Sequence, residues 1–332
     1  MSPSDGLTPF PGRPTDPPPS TLGALAEATL AAWGGAEAAP RLVVDRENAV
    51  FDVVVRDGLR GALRLHRAGY RSPAAISAEL GWMAALADQG FPCPTPVASD
   101  SGGWLVPAPD GRVASLVTWV DATPLSDMPQ TPDQFRRLGA LAARLHEETD
   151  RLAPPTRAFP SWSAEALLGD APVWGRFWEN PSLTPAEAQL LGHMRFAARA
   201  RLEARAHGDH GLIHADLLSD NILDDGTRLW IIDFDDSGRG ERAYDLGTAL
   251  ISHVEDPAYP ELAAALVAGY AGRRGSVARL TQDLPLFVTL RALASCGWVM
   301  TRCAEGDPLC RAYADRALRL AERYLSRGHE EF

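Results

Sequence analysis

The chain reads as an α+β protein of two lobes, a small strand-rich N-terminal lobe and a larger, mainly helical C-terminal lobe. Three observations predict this. Strand-like apolar runs crowd the segment from Leu42 to Val120, with one helical stretch among them. Beyond Asp121-Ala-Thr-Pro the pattern changes to long helical periodicities. Within that second part, Leu212–Leu250 (LIHADLLSDNILDDGTRLWIIDFDDSGRGERAYDLGTAL) sets two short strand runs, Ile222–Leu223 and Leu229–Ile232, about an Asp-Gly turn at Asp225–Gly226.

Taken in order, residues 1–21 are rich in proline and poor in core-forming groups, and are expected to form a disordered tail. The first lobe is then 22–120 and the second 121–332. Leu22–Trp33 has helical spacing and ends at Gly34–Gly35. Leu42–Val44, Val50–Val55 and Ala62–Leu65 read as strands, the last two joined at Asp57–Gly58. Ser72 as N-cap and Pro73 in the first turn open a helix that runs to about Gln89 and stops at Gly90. Phe91–Pro96 is an extended connector, and Val97–Ala98, Trp104–Val106 and Ala114–Val120 are further strands. Pro132–Thr149 is amphipathic, with Phe135, Leu138, Leu141 and Leu145 on one stripe. Arg151–Pro185 is irregular and carries Trp162, Trp174 and Trp178, as befits either an acceptor pocket or a patch on the core. Pro185–His207, Tyr244–Val254, Glu261–Ala271, Leu284–Cys303 and Pro308–Ser326 complete the predicted helices.

Composition excludes several classes. A net charge of −11 leaves no dominant basic surface for nucleic acid. No apolar run is expected to span a membrane and no signal-peptide pattern opens the chain, so a cytoplasmic location is expected. Four cysteines do not make a disulfide scaffold in 332 residues. Cys296, Cys303 and Cys310 recur every seven residues, which reads as a buried helical face rather than a metal or redox cluster. All 32 basic residues are arginine, so any site that ordinarily uses lysine must use something else.

Chemistry concentrates around the hairpin. Asp216 is followed five residues on by Asn221 and twelve later by Asp233. A carboxylate that accepts or orients a hydroxyl proton, then a carboxamide and a second carboxylate with hard oxygens for Mg²⁺, is what phosphoryl transfer requires. A partial zinc motif, His207-Gly-Asp209-His210 with His214 and Asp216 downstream, competes for the same stretch, but Arg205 stands where its first histidine belongs.

The order H-x-D-x4-N, hairpin, D-F resembles the aminoglycoside phosphotransferase superfamily, and within it the stress-response kinase A and type II homoserine kinase branch. The likeness extends to Arg46-Glu-Asn-Ala-Val-Phe, Leu63–Arg67, Glu79, Cys93-Pro-Thr-Pro-Val, Tyr244-Asp-Leu and Arg291–Arg302, covering about residues 40 to 305. It implies a bilobal protein-kinase-like fold and an ATP- and Mg²⁺-dependent kinase. Its acceptor would be a hydroxyl of a small metabolite, such as an amino alcohol, a hydroxy amino acid like homoserine, or an aminoglycoside-like molecule. A Ser/Thr protein kinase and a nucleotide-binding pseudokinase are the alternatives, and a monomer or homodimer is expected. By the same resemblance, Asp216 is catalytic, and Asn221 and Asp233 hold the metal. Arg64 replaces the family's strand-three lysine on the nucleotide phosphates and pairs with Glu79; Asn48 belongs to a nucleotide-covering turn at 46–49. Thr118, Trp119 and Val120 offer backbone groups to adenine. His214 braces the catalytic loop, Asp245 anchors its backbone, and Asp235 assists the metal or faces a cationic acceptor, whereas Asp236 reads as a solvated turn carboxylate. Acceptor contacts are expected from the Trp-rich stretch 159–178 and from Arg291, Trp298 and Arg302.

Overall fold

The computed structural model describes residues 19–45, 48–205, 208–303 and 306–327. Most of the expected tail (1–18), Arg46 and Glu47 of the expected nucleotide-covering turn, and His207 lie outside the described residues. The chain divides into two compact units, 1–121 and 122–332.

The first unit is built on a five-stranded antiparallel sheet in the order β1-β2-β3-β5-β4. Its elements are α1 (Pro19–Thr29), a 3-10 turn (Leu30–Trp33), β1 (Arg41–Asp45), β2 (Ala49–Val55), β3 (Leu59–Leu65), α2 (Pro73–Asp88), β4 (Leu105–Pro107) and β5 (Val113–Thr118). The period-2 alternation of β2 buries Ala49, Phe51, Val53 and Val55 on one face, where Leu22, Ala26, Leu30 and Trp33 cover them. The opposite face is charged: Asp52 is held by Arg41 at 2.7 Å and Arg60 at 2.9 Å. At the turn joining β2 to β3, Asp57 and Gly58 both take positive φ, 65° and 70°, as Asp-Gly permits. Ser72 caps α2 by accepting the Ala75 N–H at 3.2 Å.

The second unit follows with β6 (Thr123–Pro124), α3 (Pro132–Leu152), β7 (Ser161–Trp162), α4 (Ala164–Leu168), α5 (Pro185–Glu203), β8 (His210–Ile213), β9 (Ile222–Asp224), β10 (Leu229–Ile231), β11 (Gly238–Glu241), α6 (Ala243–Leu250), α7 (Tyr259–Ala271), α8 (Val277–Trp298) and α9 (Pro308–Arg327). Two three-stranded sheets, β10-β9-β6 and β7-β11-β8, are set among helices. A capping box between Thr131 and Gln134 opens α3. That helix packs along α7 at Gly139 and Gly269, where an added Cβ would meet the facing helix's backbone.

Several expectations need correction. Val97–Ala98 is not a strand; only a single bridge joins Pro96 to Val117. Strand β5 ends at Thr118, so Trp119 and Val120 lie beyond it. Helix α8 begins at Val277 rather than Leu284 and runs through Pro285. By length and composition 277–301 is long and apolar enough to cross a membrane, contrary to expectation; 78% of its apolar window is buried inside its own protein. The seven-residue cysteine spacing crosses the α8–α9 connection instead of following one helix face: Cys296 lies in α8 and Cys310 in α9. Residues 238–241, unassigned from sequence, form a strand that pairs in parallel with β7 and antiparallel with β8.

A charged network ties the far end of α3 to the start of β8 and α6. Arg242, 3% exposed, donates to Asp209 at 2.7 Å and also to Asp150. Arg274 reaches the same two carboxylates at 2.7 and 2.8 Å. These bonds occupy Asp209 of the partial zinc motif, and His210 faces Glu241 at 3.3 Å. Burial alone would raise the Asp209 carboxyl, but Arg274 and Arg242 outweigh it and hold it down to about 2. Its ionised form therefore contributes stability in full above roughly pH 5, and the contribution is lost as pH falls toward about 2. Urea unfolding of Asp209→Asn should accordingly lose less stability on acidification from about pH 5 than the parent does. An unchanged acid slope would remove this carboxylate from the account.

Candidate active site

The site is assembled by one buried carboxylate. Asp245 sits in the first turn of α6, where the helix N-terminus favours negative charge. It is fully buried and accepts the N–H groups of His214 at 3.0 Å and Ala215 at 2.7 Å. His146 of α3 is its third partner, at 3.0 Å, and the Tyr270 hydroxyl meets the other ring nitrogen at 2.8 Å. Burial holds His146 below its ordinary pKa despite the pull of Asp245, so the ring is neutral and Tyr270 donates to it. Ala215 has φ 66°, a left-handed conformation that costs a non-glycine residue energy and persists because its N–H is fixed.

His214 is also buried and neutral, its pKa lowered by burial. Its Nε2 donates to the Ile232 carbonyl at 3.0 Å, its Nδ1 accepts the Asp216 N–H at 3.2 Å, and its ring meets Phe234 edge-on at 4.7 Å. The histidine thus joins the loop carrying Asp216 to the segment that leaves β10 toward Asp233-Phe234.

Asp216 and Asn221 touch. The Asn221 amide donates to the Asp216 carbonyl at 2.9 Å and to its carboxylate at 2.7 Å. With Nδ2 spent on two oxygens, Oδ1 of Asn221 is the atom left for a cation. An aspartate at 221 would offer oxygens but repel Asp216. The hairpin places the second carboxylate: Ile231 pairs with Ile222, and the Ile232 N–H donates to the Asn221 carbonyl at 3.0 Å, so Asp233 follows just beyond Asn221. Asp233 has φ 63° and is half-buried. Burial raises the Asp216 carboxyl above the usual carboxylate range, Arg291 opposes that rise and Asp233 adds to it. An amide oxygen and one carboxylate are hard donors of the kind a divalent cation accepts.

Behind Asp216 stands an aromatic wall. Arg291 donates to its Oδ1 at 2.6 Å and lies over Trp174, 4.8 Å from the ring centroid. Trp174 meets Trp162 edge-on at 4.9 Å and Trp298 at 6.5 Å; Trp162 stacks on Tyr244 at 5.6 Å. Arg302 covers Trp298 at 4.2 Å. The Trp-rich stretch and the late helix therefore converge on Asp216. The Tyr244 hydroxyl is buried without a hydrogen bond of good geometry, and burial pushes it up to about 12. Asp236 is half-buried rather than a solvated turn residue, with its carbonyl on the Trp162 Nε1 at 2.8 Å and its charge felt by Tyr244 and Arg291. Asp235 is half-buried beside it.

In the first unit, β3 places Arg64 opposite Val50 and Ser115, with Nη1 4.0 Å from Oε1 of the buried Glu79. The Asn48 carboxamide accepts the Arg67 N–H at 3.1 Å. Thr118 donates its N–H to Thr95 at 2.9 Å and Trp119 to Arg60 at 3.1 Å. Those two N–H groups are thus taken up within the unit; Trp119 also carries the Arg60 guanidinium on its ring at 4.6 Å. His146 and Tyr244 were not singled out from the sequence as site residues. A histidine beside the apolar stripe of Pro132–Thr149 was the available signal for the first.

A strand-rich unit followed by a helical one that carries Asp216, Asn221 and Asp233 on a loop and hairpin defines a kinase-like phosphotransferase. The comparisons agree: residues 39–280 match the model of the phosphotransferase enzyme family, APH, and the chain belongs to it. An uncharacterized protein of Deinococcus radiodurans is 30% identical over 258 residues, 74% of this chain and 72% of that one. A homoserine kinase of Methylobacterium radiotolerans is 31% identical over 238 residues, 68% of each. Among solved structures, a microcompartment-associated aminopropanol kinase superposes with a TM-score of 0.82 at 34% identity, covering 91% of this chain and 97% of that one. An amicoumacin kinase shares the fold at 18% identity and a TM-score of 0.69, over 84% and 88% of the chains. The protein is a kinase, an enzyme that transfers a phosphoryl group to a hydroxyl of a small molecule.

Replacing Asp245 by Asn turns an amide N–H toward groups that are themselves donors. Asp245→Asn is expected to lose about 3 kcal/mol of unfolding free energy, as for a buried charged acceptor, together with most turnover. Urea denaturation at neutral pH measures the first; an unshifted midpoint would show that the loop does not depend on this carboxylate.

Proposed function

We propose that the acceptor is a small amino alcohol, that the metal is Mg²⁺, and that Asp216 orients the acceptor hydroxyl and takes its proton during transfer. The observation that carries the reading is the compact wall of Trp162, Trp174, Trp298 and Tyr244 beside Asp216, with Asp236 close enough to act on Tyr244. Carboxylates and aromatic faces suit an ammonium group a few bonds from the reacting hydroxyl, and the Tyr244 hydroxyl beside Arg291 is a further polar contact for it. The 34% identity to an aminopropanol kinase over nearly the whole length of both chains supports the same choice. A hydroxy amino acid is the second reading. It is favoured by the half-buried Arg302 on the same wall, which can hold a carboxylate, and by the homoserine kinase relatives.

In this reading the first unit binds the nucleotide, with Arg64 on its phosphates and Glu79 behind Arg64, and the second binds the acceptor. Asn221 Oδ1 and Asp233 would hold Mg²⁺, which would supply positive charge to offset the charge developing on the transferred group. Asp216, kept in one orientation by Asn221 and Arg291, accepts the proton from the hydroxyl; the transition state is otherwise reached by positioning. Four free cysteines and dependence on ATP support a cytoplasmic setting.

Mg-ATP turnover against ethanolamine, 1-amino-2-propanol, homoserine, an aminoglycoside and a Ser/Thr peptide tests the proposal. An amino alcohol should give the highest kcat/KM, Asp216→Asn should be inactive on it, and Asp236→Asn should lower its kcat/KM about 10- to 100-fold. Preference for the peptide would replace the reading with a protein kinase. In thermal melts, Asp233→Ala should lose the stabilisation that Mg-ATP confers on the parent; retained stabilisation would remove Asp233 from the metal site.

A further inference from the structure

The loop from His214 to Asn221 contains no basic residue, and the chain contains no lysine. Asp216, held among Asn221, His214 and Asp233, still has a counter-charge, and it arrives from α8, 75 residues later in sequence. Arg291 makes two bonds to the loop: Nη2 to Asp216 Oδ1 at 2.6 Å and Nη1 to the Ala215 carbonyl at 3.3 Å. Its side chain is 7% exposed.

What holds Arg291 is the irregular segment between α3 and α5. Trp174 covers the guanidinium, and its own backbone lies so close to α8 that a Cβ on Gly297 would sit 2.9 Å from the Trp174 carbonyl and 2.6 Å from that of Gly175. Gly175 itself has φ 99°, which a side chain would disfavour. Six residues beyond Trp174, the buried Asn180 fastens the segment to the same stretch of helix by donating to the Cys296 carbonyl at 2.9 Å. The Asp216 carboxylate is consequently gripped on both oxygens, Oδ1 by Arg291 and Oδ2 by Asn221, and cannot rotate about its Cβ–Cγ bond without breaking one of them.

Resting on the phosphotransferase reading above, we propose that Arg291 is a positioning residue for Asp216: it supplies from α8 the cation that the catalytic loop lacks, and the Trp-rich segment serves to hold it there. Both of its Nη groups are on the loop, its face is on Trp174 and it also meets Tyr244, so its place is behind Asp216 rather than on the acceptor. The acceptor contacts on this wall belong instead to Tyr244, Asp236 and the tryptophan edges.

Steady-state kinetics on the best acceptor, with Arg291→Met and Arg291→Lys, separates the possibilities. Arg291→Met should lower kcat about 100-fold, as for misplacement of a reacting group by about 1 Å, with acceptor KM within about twofold of the parent. Arg291→Lys keeps the charge and loses the fork; its kcat should fall about tenfold, again without a change in KM. Millimolar guanidinium should restore part of the Arg291→Met turnover and leave Asp216→Asn inactive. Melting with and without Mg-ATP shows which variants fold; if Arg291→Met does not, Arg291→Lys decides. An acceptor KM raised tenfold at unchanged kcat would make Arg291 an acceptor ligand, and parental kcat and KM in Arg291→Lys would equally overturn the proposal. Both results leave the phosphotransferase reading standing. That reading fails separately, if the parent turns over no hydroxyl acceptor or Asp216→Asn remains active.

Discussion

Asp245 is sealed from the surface, and its two oxygens accept from two backbone N–H groups and a neutral histidine. The rest of the catalytic loop depends on this arrangement. Ala215 would leave the left-handed region if its N–H were released, and the directions of His214 and Asp216 on either side would change with it. Because Asp245 is itself fixed in the first turn of α6 and braced by His146 of α3, which Tyr270 of α7 holds in turn, the loop inherits the rigidity of three packed helices. A reaction that depends on positioning more than on covalent chemistry needs such a support.

Electrostatically the site is a group of carboxylates with few cations. Asp216, Asp233 and Asp236 are near one another and only partly solvated. One ion pair, Asp216 to Arg291, is taken far out of water. A buried pair of this kind seldom adds net stability, because desolvating both charges offsets their attraction. Its presence makes better sense as orientation than as stabilisation. The amide at 221 follows the same logic: it donates to Asp216 with one end and keeps an oxygen at the other, adding no further negative charge. In the first unit, Arg64 brings a flat guanidinium where resemblance expects an ammonium, and it stays 4.0 Å from Glu79, so the expected pairing is present with a cation of different shape.

Much of this was legible before any coordinates. The alternation of Ala49–Val55, the Ser72-Pro73 start of α2 and the Asp-Gly turns encode their own local structure, and the Asp216, Asn221 and Asp233 spacing names a chemistry because the intervening hairpin has a fixed register. What escaped had no local signal. Strands of two to four residues, such as β7 and β11, are too short to show period-2 alternation, and their pairing across 161–162 and 239–240 is a tertiary event. Pro285 reads as a helix boundary, yet α8 passes through it, because burial along most of the helix outweighs one lost backbone bond. His146 lies in a helix whose pattern predicts only packing, and nothing near it in sequence announces Asp245 as its partner.

The Trp-rich segment 159–178 shows why the acceptor is harder to read than the reaction. The surrounding stretch 151–185 is expected from its sequence either to line an acceptor pocket or to patch the core; the tryptophans pack on the core and also stand beside Asp216 through Arg291. Trp174 packs backbone-to-backbone on Gly297 and also presents its ring to Arg291; Trp162 stacks on Tyr244 and donates to the Asp236 carbonyl. A substitution that reshapes the acceptor wall therefore also disturbs the support of Asp216. In the proposed reading specificity and catalysis are coupled through one aromatic cluster, which supports Asp216, whereas Asn221 and Asp233 are placed by loop and hairpin geometry alone. Sequence patterns report the second kind of constraint directly and the first only through packing.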